Sequence, residues 1–300
     1  MQVVNTNVGA SIAQNALARN DRALGTAMEQ LSTGKRINSA ADDAAGLAVA
    51  TRMTSQIKGL EVAIRNANDG ISMVNTAEGA LVEITSMLQR MRELALQSST
   101  GTTDAADRDY MNLEYQNLIS EIDRIAENTE WNGRTILNNT ANGSTSSAVA
   151  FVVGTKASQT ITVDFGHFGN TTSGIMANFE ISGVGTGTVT VTGTAGTISS
   201  ASTSAALTVA STAITAIDTA IAAVSQQRAT FGAVSNQLEY AVDNLTNIKT
   251  NAQESRSRIE DTDYAATTAE LARTQIIQQA GTAMLAQANQ LPQSVLSLLQ

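Results

Sequence analysis

The sequence has no cysteine, one histidine and one proline in 300 residues, and only 3% of it is aromatic. Without cysteine there is no disulfide scaffold, no thiolate metal site and no cysteine nucleophile. A lone histidine, His167, leaves no His-pair metal site and argues against Ser-His-Asp triads and most general-base chemistry. Positive charge is also short, with 18 Lys and Arg against 27 Asp and Glu for a net charge of −9. A binder of nucleic-acid backbones needs a basic stripe, so nucleic acid is not an expected partner. No run of about eighteen apolar residues occurs, so no membrane-spanning helix or membrane partner is expected. The first twenty residues lack the basic segment and apolar core of a cleaved secretory signal. The chain is therefore read as no enzyme, with no cofactor and no metal; acidic pairs such as Asp42-Asp43 are better explained as a helix start.

The same scarcity of proline and aromatics points towards long helices packed through Ala, Leu, Ile and Val. Ala10, Ala13, Leu17, Leu24, Ala27 and Leu31 fall on alternating three- and four-residue steps, with Asn20 at the one step they skip. That seam is weak because half its members are alanine. After a loop over 34–43 comes the strongest signal in the chain. Leu60, Ile64, Ala67, Ile71, Val74, Ala77, Leu81, Ile84, Leu88, Met91 and Leu94 keep the helical period almost without a slip. A helix over 44–97 would be a rod of roughly 80 Å. Gly59, Gly70 and Gly79 inside it each cost about 1 kcal/mol against alanine, which suggests close approach of a neighbouring backbone. A shorter helix follows, with Met111, Tyr115, Leu118, Ile122 and Ile125 on one face.

Near residue 140 the texture changes. Ser, Thr and Gly dominate, and Thr160-Ile161-Thr162-Val163 and the run 186–192 alternate with period two, which predicts strands joined by glycine-rich turns. A structureless Ser/Thr linker is the alternative for 166–204, and His167 reads as a surface loop residue. Helical period returns through Ile214, Ile217, Ile221, Val224, Phe231, Leu238, Val242 and Leu245. Ile277, Ala280, Met284, Ala288, Leu291, Val295 and Leu298 carry it towards residue 300, with Pro292 expected to remove one helical bond and bend the last turns. The predicted fold class is mainly α, with long antiparallel helices, a terminal coiled coil and a β-rich central insert. Weak alanine seams at both ends cannot hold alone. The two terminal segments should pair with each other and with other copies of the chain, or else frame the core of one domain.

Several motifs together carry a resemblance. The stretch 31–47 reads Leu-Ser-Thr-Gly-Lys-Arg-Ile-Asn-Ser-Ala-Ala-Asp-Asp-Ala-Ala-Gly-Leu, and 65–72 reads Arg-Asn-Ala-Asn-Asp-Gly-Ile-Ser. With Glu78-Gly79-Ala80-Leu81, the run 88–95, Asn132-Gly133-Arg134 after Trp131, and the stretch from Ser255 through Asp261 to a Gln/Ala/Leu-rich tail, they resemble bacterial flagellin. The likeness covers 1–140 and 210–300, in the correct order.

The resemblance implies a subunit of the bacterial flagellar filament, with a reduced central region. Such a chain is extracellular, exported without a cleaved signal, and polymerises with itself into a helical filament that serves swimming motility. The export chaperone, filament cap and hook-junction proteins would be its partners. Residues 1–40 with 262–300 would form the inner tube. Residues 41–165 with 205–261 would form a long-helix wall with a β-hairpin near 150–165, and 166–204 a short exposed insert. The resemblance also implies recognition of the monomer by a vertebrate innate immune receptor, the Toll-like receptor for flagellin. The matching positions are Gln89, Arg90, Glu93, Leu94, Gln97 and Glu114, with Leu94 expected on the exposed side of the rod although it also falls on the apolar seam. From spacing alone, Arg90 and Glu93 could equally be a solvated i,i+3 ion pair. A hook–filament junction protein shares the terminal helices, and a trimeric coiled-coil adhesin is a reading from another class; the adhesin would need one sustained seam.

Overall fold

The structure is a computed structural model that describes residues 7–138, 148–166, 168, 178–181, 189–192 and 203–297, with side chains described over 7–138, 148–166, 168 and 209–290. Its helices are α1 (Val8–Thr33), α2 (Ala44–Ser98), α3 (Ala105–Asn128), α4 (Thr203–Glu260) and α5 (Tyr264–Ser297). Three antiparallel two-stranded ribbons lie between α3 and α4: β1 (Glu130–Trp131) with β2 (Arg134–Thr135), β3 (Ala148–Val152) with β4 (Thr160–Asp164), and β5 (Asn178–Ile181) with β6 (Val189–Thr192). The architecture is mainly α with a β-rich centre, and the hairpin expected near 150–165 is β3–β4. The remainder of 166–204, His167 included, lies outside the described residues.

The chain divides into two compact units, Met1–Lys58 with Lys249–Gln300, and Gly59–Ile248. In the first, α1 and α5 run antiparallel: Asn7 bonds Ala288, and Asn20 bonds Thr274. Helix α1 opens on Asn7, whose side chain accepts from Ala10 N–H, and ends at Gly34, in the left-handed region at φ 72°. A side chain at Gly34 would be strained there, and its Cβ would also lie 2.9 Å from the Tyr264 hydroxyl. The two loops of this unit are stitched together, with Arg36 N–H donating to Glu260 O and Thr262 N–H to Gly34 O. Asp42 and Asp43 do precede a helix. Asp43 Oδ1 accepts from Gly46 N–H at 2.8 Å, and Asp42 Oδ2 accepts from the Asn38 and Ser39 amides and the Ser39 hydroxyl. Asn20, the skipped step of the seam, is buried and donates its amide to Thr274 O at 2.8 Å. Helix α5 continues through Pro292 to Ser297, so the proline does not end it.

The second unit holds the main core. Met73, Val74, Ala77, Leu81, Ile84, Leu88, Met91 and Leu94 of α2 meet Met111, Tyr115 and Ile122 of α3 and Ile217, Val224 and Phe231 of α4. The β3–β4 hairpin and the segment after it close over this core through Val163, Phe165 and Phe168. Phe165 and Phe231 pack as tilted rings with centroids 5.5 Å apart. Buried Gln227 donates to Asp164 O at 2.6 Å, and Asn66 to Val152 O at 3.1 Å, so α4 and α2 each satisfy a carbonyl of the hairpin. The tight turn between β1 and β2 uses Asn132 and Gly133, both at positive φ (51° and 74°). That is the Asn-Gly chemistry a two-residue hairpin demands.

One expectation needs correction here. Close backbone approach does not explain Gly59, Gly70 and Gly79 of α2. A Cβ at Gly70 would come 3.2 Å from the Phe151 ring and 3.3 Å from Leu238 Cδ1, both side chains; at Gly59 it would make ordinary contact with Thr155, and at Gly79 it would meet nothing within 4 Å. Within Val209–Glu260, an 18-residue window reaches a mean hydropathy of 1.2, enough by length and composition to cross a bilayer. In this structure that part of α4 turns Ala213, Ile217, Ala220 and Val224 into the core and pairs Asp218 with Arg92.

Candidate functional site

Helix α2 buries one side and leaves the other to solvent, where Gln89, Arg90, Glu93 and Gln97 lie exposed. The spacing explains why. These residues step by one, three and four positions along the turns that Ile84, Leu88 and Met91 leave uncovered. Helix α3 lies alongside and supplies Glu114. Arg90 Nε donates to Glu114 Oε1 at 2.8 Å and Arg90 Nη1 to Glu93 Oε2 at 3.0 Å, so one guanidinium joins α2 to α3. The Glu114 hydrogen bond, followed by that to Glu93, raises the Arg90 pKa above its ordinary value. About half of the Arg90 side chain remains exposed (48%), so its fork is oriented yet open to a partner.

Leu94 is elsewhere. It is 2% exposed and belongs to the core with Leu88 and Met91, so the expectation that it faces outward is corrected. It sits on the apolar seam, on the buried side of the helix. The exposed apolar residues of this region are Leu96 on α2 and Tyr110 and Leu113 on α3. Tyr110 and Leu113 precede Glu114 by four and one positions, so Tyr110 shares its face. Neither falls on the apolar stripe of Met111, Tyr115, Leu118, Ile122 and Ile125 that marks α3 in the sequence. On another flank, Arg92 donates to both carboxylate oxygens of Asp218 on α4 (2.6 and 3.5 Å), a pairing that 126 residues of separation hide from any local pattern.

A second surface lies on the terminal helices. Val8, Ile12 and Met28 of α1 and Ile276, Ile277 and Met284 of α5 are exposed large apolar side chains. The buried apolar residues of α1 are two alanines, Ala10 and Ala27. Both surfaces are suited to protein contact: one offers an oriented charge network, the other uncovered hydrocarbon.

Residues 4–142 match the family model for the bacterial flagellin N-terminal helical region, and 214–299 that for the C-terminal helical region. Flagellin A of Vibrio cholerae serotype O1 is 38% identical over 378 aligned positions that cover 99% of each chain. That alignment is longer than this 300-residue chain, so the Vibrio relative carries insertions absent here. The flagellin of Halalkalibacterium halodurans is 41% identical over 298 positions, covering 99% of this chain and all of the relative. The Bacillus subtilis flagellin is 40% identical over 313 positions, with 99% of each chain covered.

Proposed function

The chain belongs to the bacterial flagellin family, and from that premise we propose that it is a structural, non-catalytic subunit that polymerises into the extracellular flagellar filament and serves motility. The observation that carries this reading is the terminal helix pair. Its internal seam is built on alanine, while Ile12, Ile276 and Met284 stay in water. Burial of each such side chain is favourable by about 1.5–3 kcal/mol, and equivalent surfaces of further copies are the natural cover for a face that repeats in every subunit.

In this reading 1–40 and 262–300 line the inner tube, 41–165 with 205–261 form the wall, and 166–204 is a short outward insert. Export without a cleaved signal, and binding of a chaperone, cap and hook-junction proteins, belong to the same proposal. So does recognition of the monomer by the vertebrate Toll-like receptor for flagellin, through Gln89, Arg90, Glu93, Gln97 and Glu114. Leu94 would act there only by holding α2 in place.

Electron microscopy of the purified full chain after seeding tests the main reading: tubular filaments are expected, and persistent monomer under every seeding condition would remove it. Trimming 1–40 and 262–300 should leave a helical chain that does not polymerise. Filaments grown from the trimmed chain would sink the inner-tube assignment.

A further inference from the structure

The carboxamide of Asn7 is used at both ends. Its Oδ1 accepts the Ala10 N–H at 3.1 Å and caps α1, while its Nδ2 donates to Ala288 O on α5 at 2.9 Å. One orientation of the amide alone satisfies both bonds, because an N–H needs the oxygen and a carbonyl needs the nitrogen. Asn7 also accepts the Ser11 N–H at its backbone oxygen, so it opens α1 and touches α5 at once.

The acceptor is an unusual one. In a helix the carbonyl of residue 288 would receive the N–H of residue 292, and residue 292 is proline, which has none. Helix α5 nevertheless runs on to Ser297. The carbonyl that Pro292 deprives of its helical donor is the one that Asn7 reaches. Asn20 makes a parallel bond to Thr274 O, but residue 278, four positions on, is glutamine and keeps its own N–H. At Ala288 alone, of these two acceptors, the side chain from the opposite helix replaces a missing backbone donor.

We propose that Asn7 is a positioning residue that sets the register of α1 against α5 by supplying the hydrogen bond that Pro292 withholds from Ala288. A slip of α1 by one turn in either direction would carry the donor to carbonyls that already hold their helical partners, and would leave Ala288 O short. The pairing thus rewards one axial alignment of the two chain ends, as a buried asparagine does in coiled coils. It concerns the terminal unit by itself and does not depend on the filament assignment.

A double-mutant cycle in the full chain tests it, read by hydrogen exchange at the amides of 282–291 in the free chain and in any polymer it forms. Asn7→Asp keeps the capping oxygen, since Asp caps as well as Asn, but loses the donor. It should speed exchange roughly tenfold or more where the α1–α5 pair is formed. Pro292→Ala restores an N–H to Ala288 O, and in that background Asn7→Asp should change exchange by less than about threefold. Equal losses in the two backgrounds would overturn the proposal, because Asn7 would then act independently of Pro292. No loss for Asn7→Asp, or amides as open in the unmutated chain as in an unfolded one, would overturn it too.

Discussion

Arg108 of α3 donates from Nε to the carbonyl of Ser98, the last residue of α2, at 3.2 Å. Both residues are buried, and Nη2 of the same guanidinium reaches Thr100 O at 3.5 Å. The last carbonyls of a helix have no intrahelical donor, and here a cation from the next helix supplies one. The turn that reverses the chain between α2 and α3 is therefore closed by a side chain that follows it. Arg108→Met keeps the apolar stem and removes the donors to the Ser98 and Thr100 carbonyls. We expect a stability loss of about 1.5–3 kcal/mol in chemical denaturation, with exchange accelerating first over 95–104. An unchanged denaturation midpoint would show that water replaces the guanidinium without cost.

Gly70 and Gly79 are both glycines in the same helix, and their surroundings predict opposite outcomes. Gly79 is exposed, and a methyl there meets nothing within 4 Å. Gly79→Ala should stabilise the chain by about 1 kcal/mol through helix propensity. Gly70 is buried against Phe151 and Leu238, where the same methyl would sit at 3.2–3.3 Å. Overpacking of that kind costs about 1–3 kcal/mol, so Gly70→Ala should be neutral or destabilising. Thermal melts of the two variants side by side decide it, and equal gains would mean that the hairpin carrying Phe151 yields freely.

Asp42 makes the loop before α2 sensitive to acid. Its carboxylate accepts from the Ser39 amide, the Asn38 amide and the Ser39 hydroxyl, and these bonds, in that order, lower its pKa below the ordinary value. A depressed carboxylate contributes stability that is full above its unfolded pKa and is lost as pH falls through the folded one. The loop should accordingly hold above about pH 4 and loosen below it. Exchange at the Ser39 amide, followed from pH 6 to pH 2.5, should rise relative to intrinsic rates as Asp42 protonates. In Asp42→Asn that extra rise should vanish. If the variant keeps it, another group controls the loop.

How far the sequence could be read follows from which partners are local. Ile84, Leu88 and Met91 are buried where a 3.6-residue period places them, and Asp43 opens α2 with a bond three residues long. Leu94 shows the hazard of mixing two arguments. Its period assigned it to the core, while the family resemblance put it in an exposed patch, and the structure agrees with the period. Gly59, Gly70 and Gly79 of α2 look alike in one dimension because what distinguishes them, Thr155, Phe151 and Leu238, comes from remote segments. Asn7 is legible as a cap and Pro292 as a missing donor, yet no local pattern says that the two ends of the chain answer each other. Likewise the pairing of Arg90 with Glu93 is visible at i,i+3, whereas Glu114 enters from a different helix.

The Arg90 surface yields the sharpest functional prediction, because two neighbouring residues should fail in different ways. Arg90 is solvent-exposed, and Glu93 and Glu114 hold its guanidinium in one orientation, so a receptor docking there meets a donor fork already ordered. Exposed ion pairs contribute little to folding, and Arg90→Ala should melt close to the unmutated chain. Its potency as a monomer in a reporter-cell titration should fall on the order of thirtyfold, as for loss of an interface anchor. Leu94→Ala removes a buried side chain from the core and should cost about 2–5 kcal/mol of stability. Any loss of potency in that variant should therefore track unfolding and recover on cooling, while the Arg90→Ala loss persists in fully folded protein. Glu114→Ala removes one of the guanidinium's two carboxylate partners without deleting it, so an intermediate loss is expected if preorganisation matters. Equal potency of Arg90→Ala and the unmutated monomer would reduce this network to a solvated seam between α2 and α3.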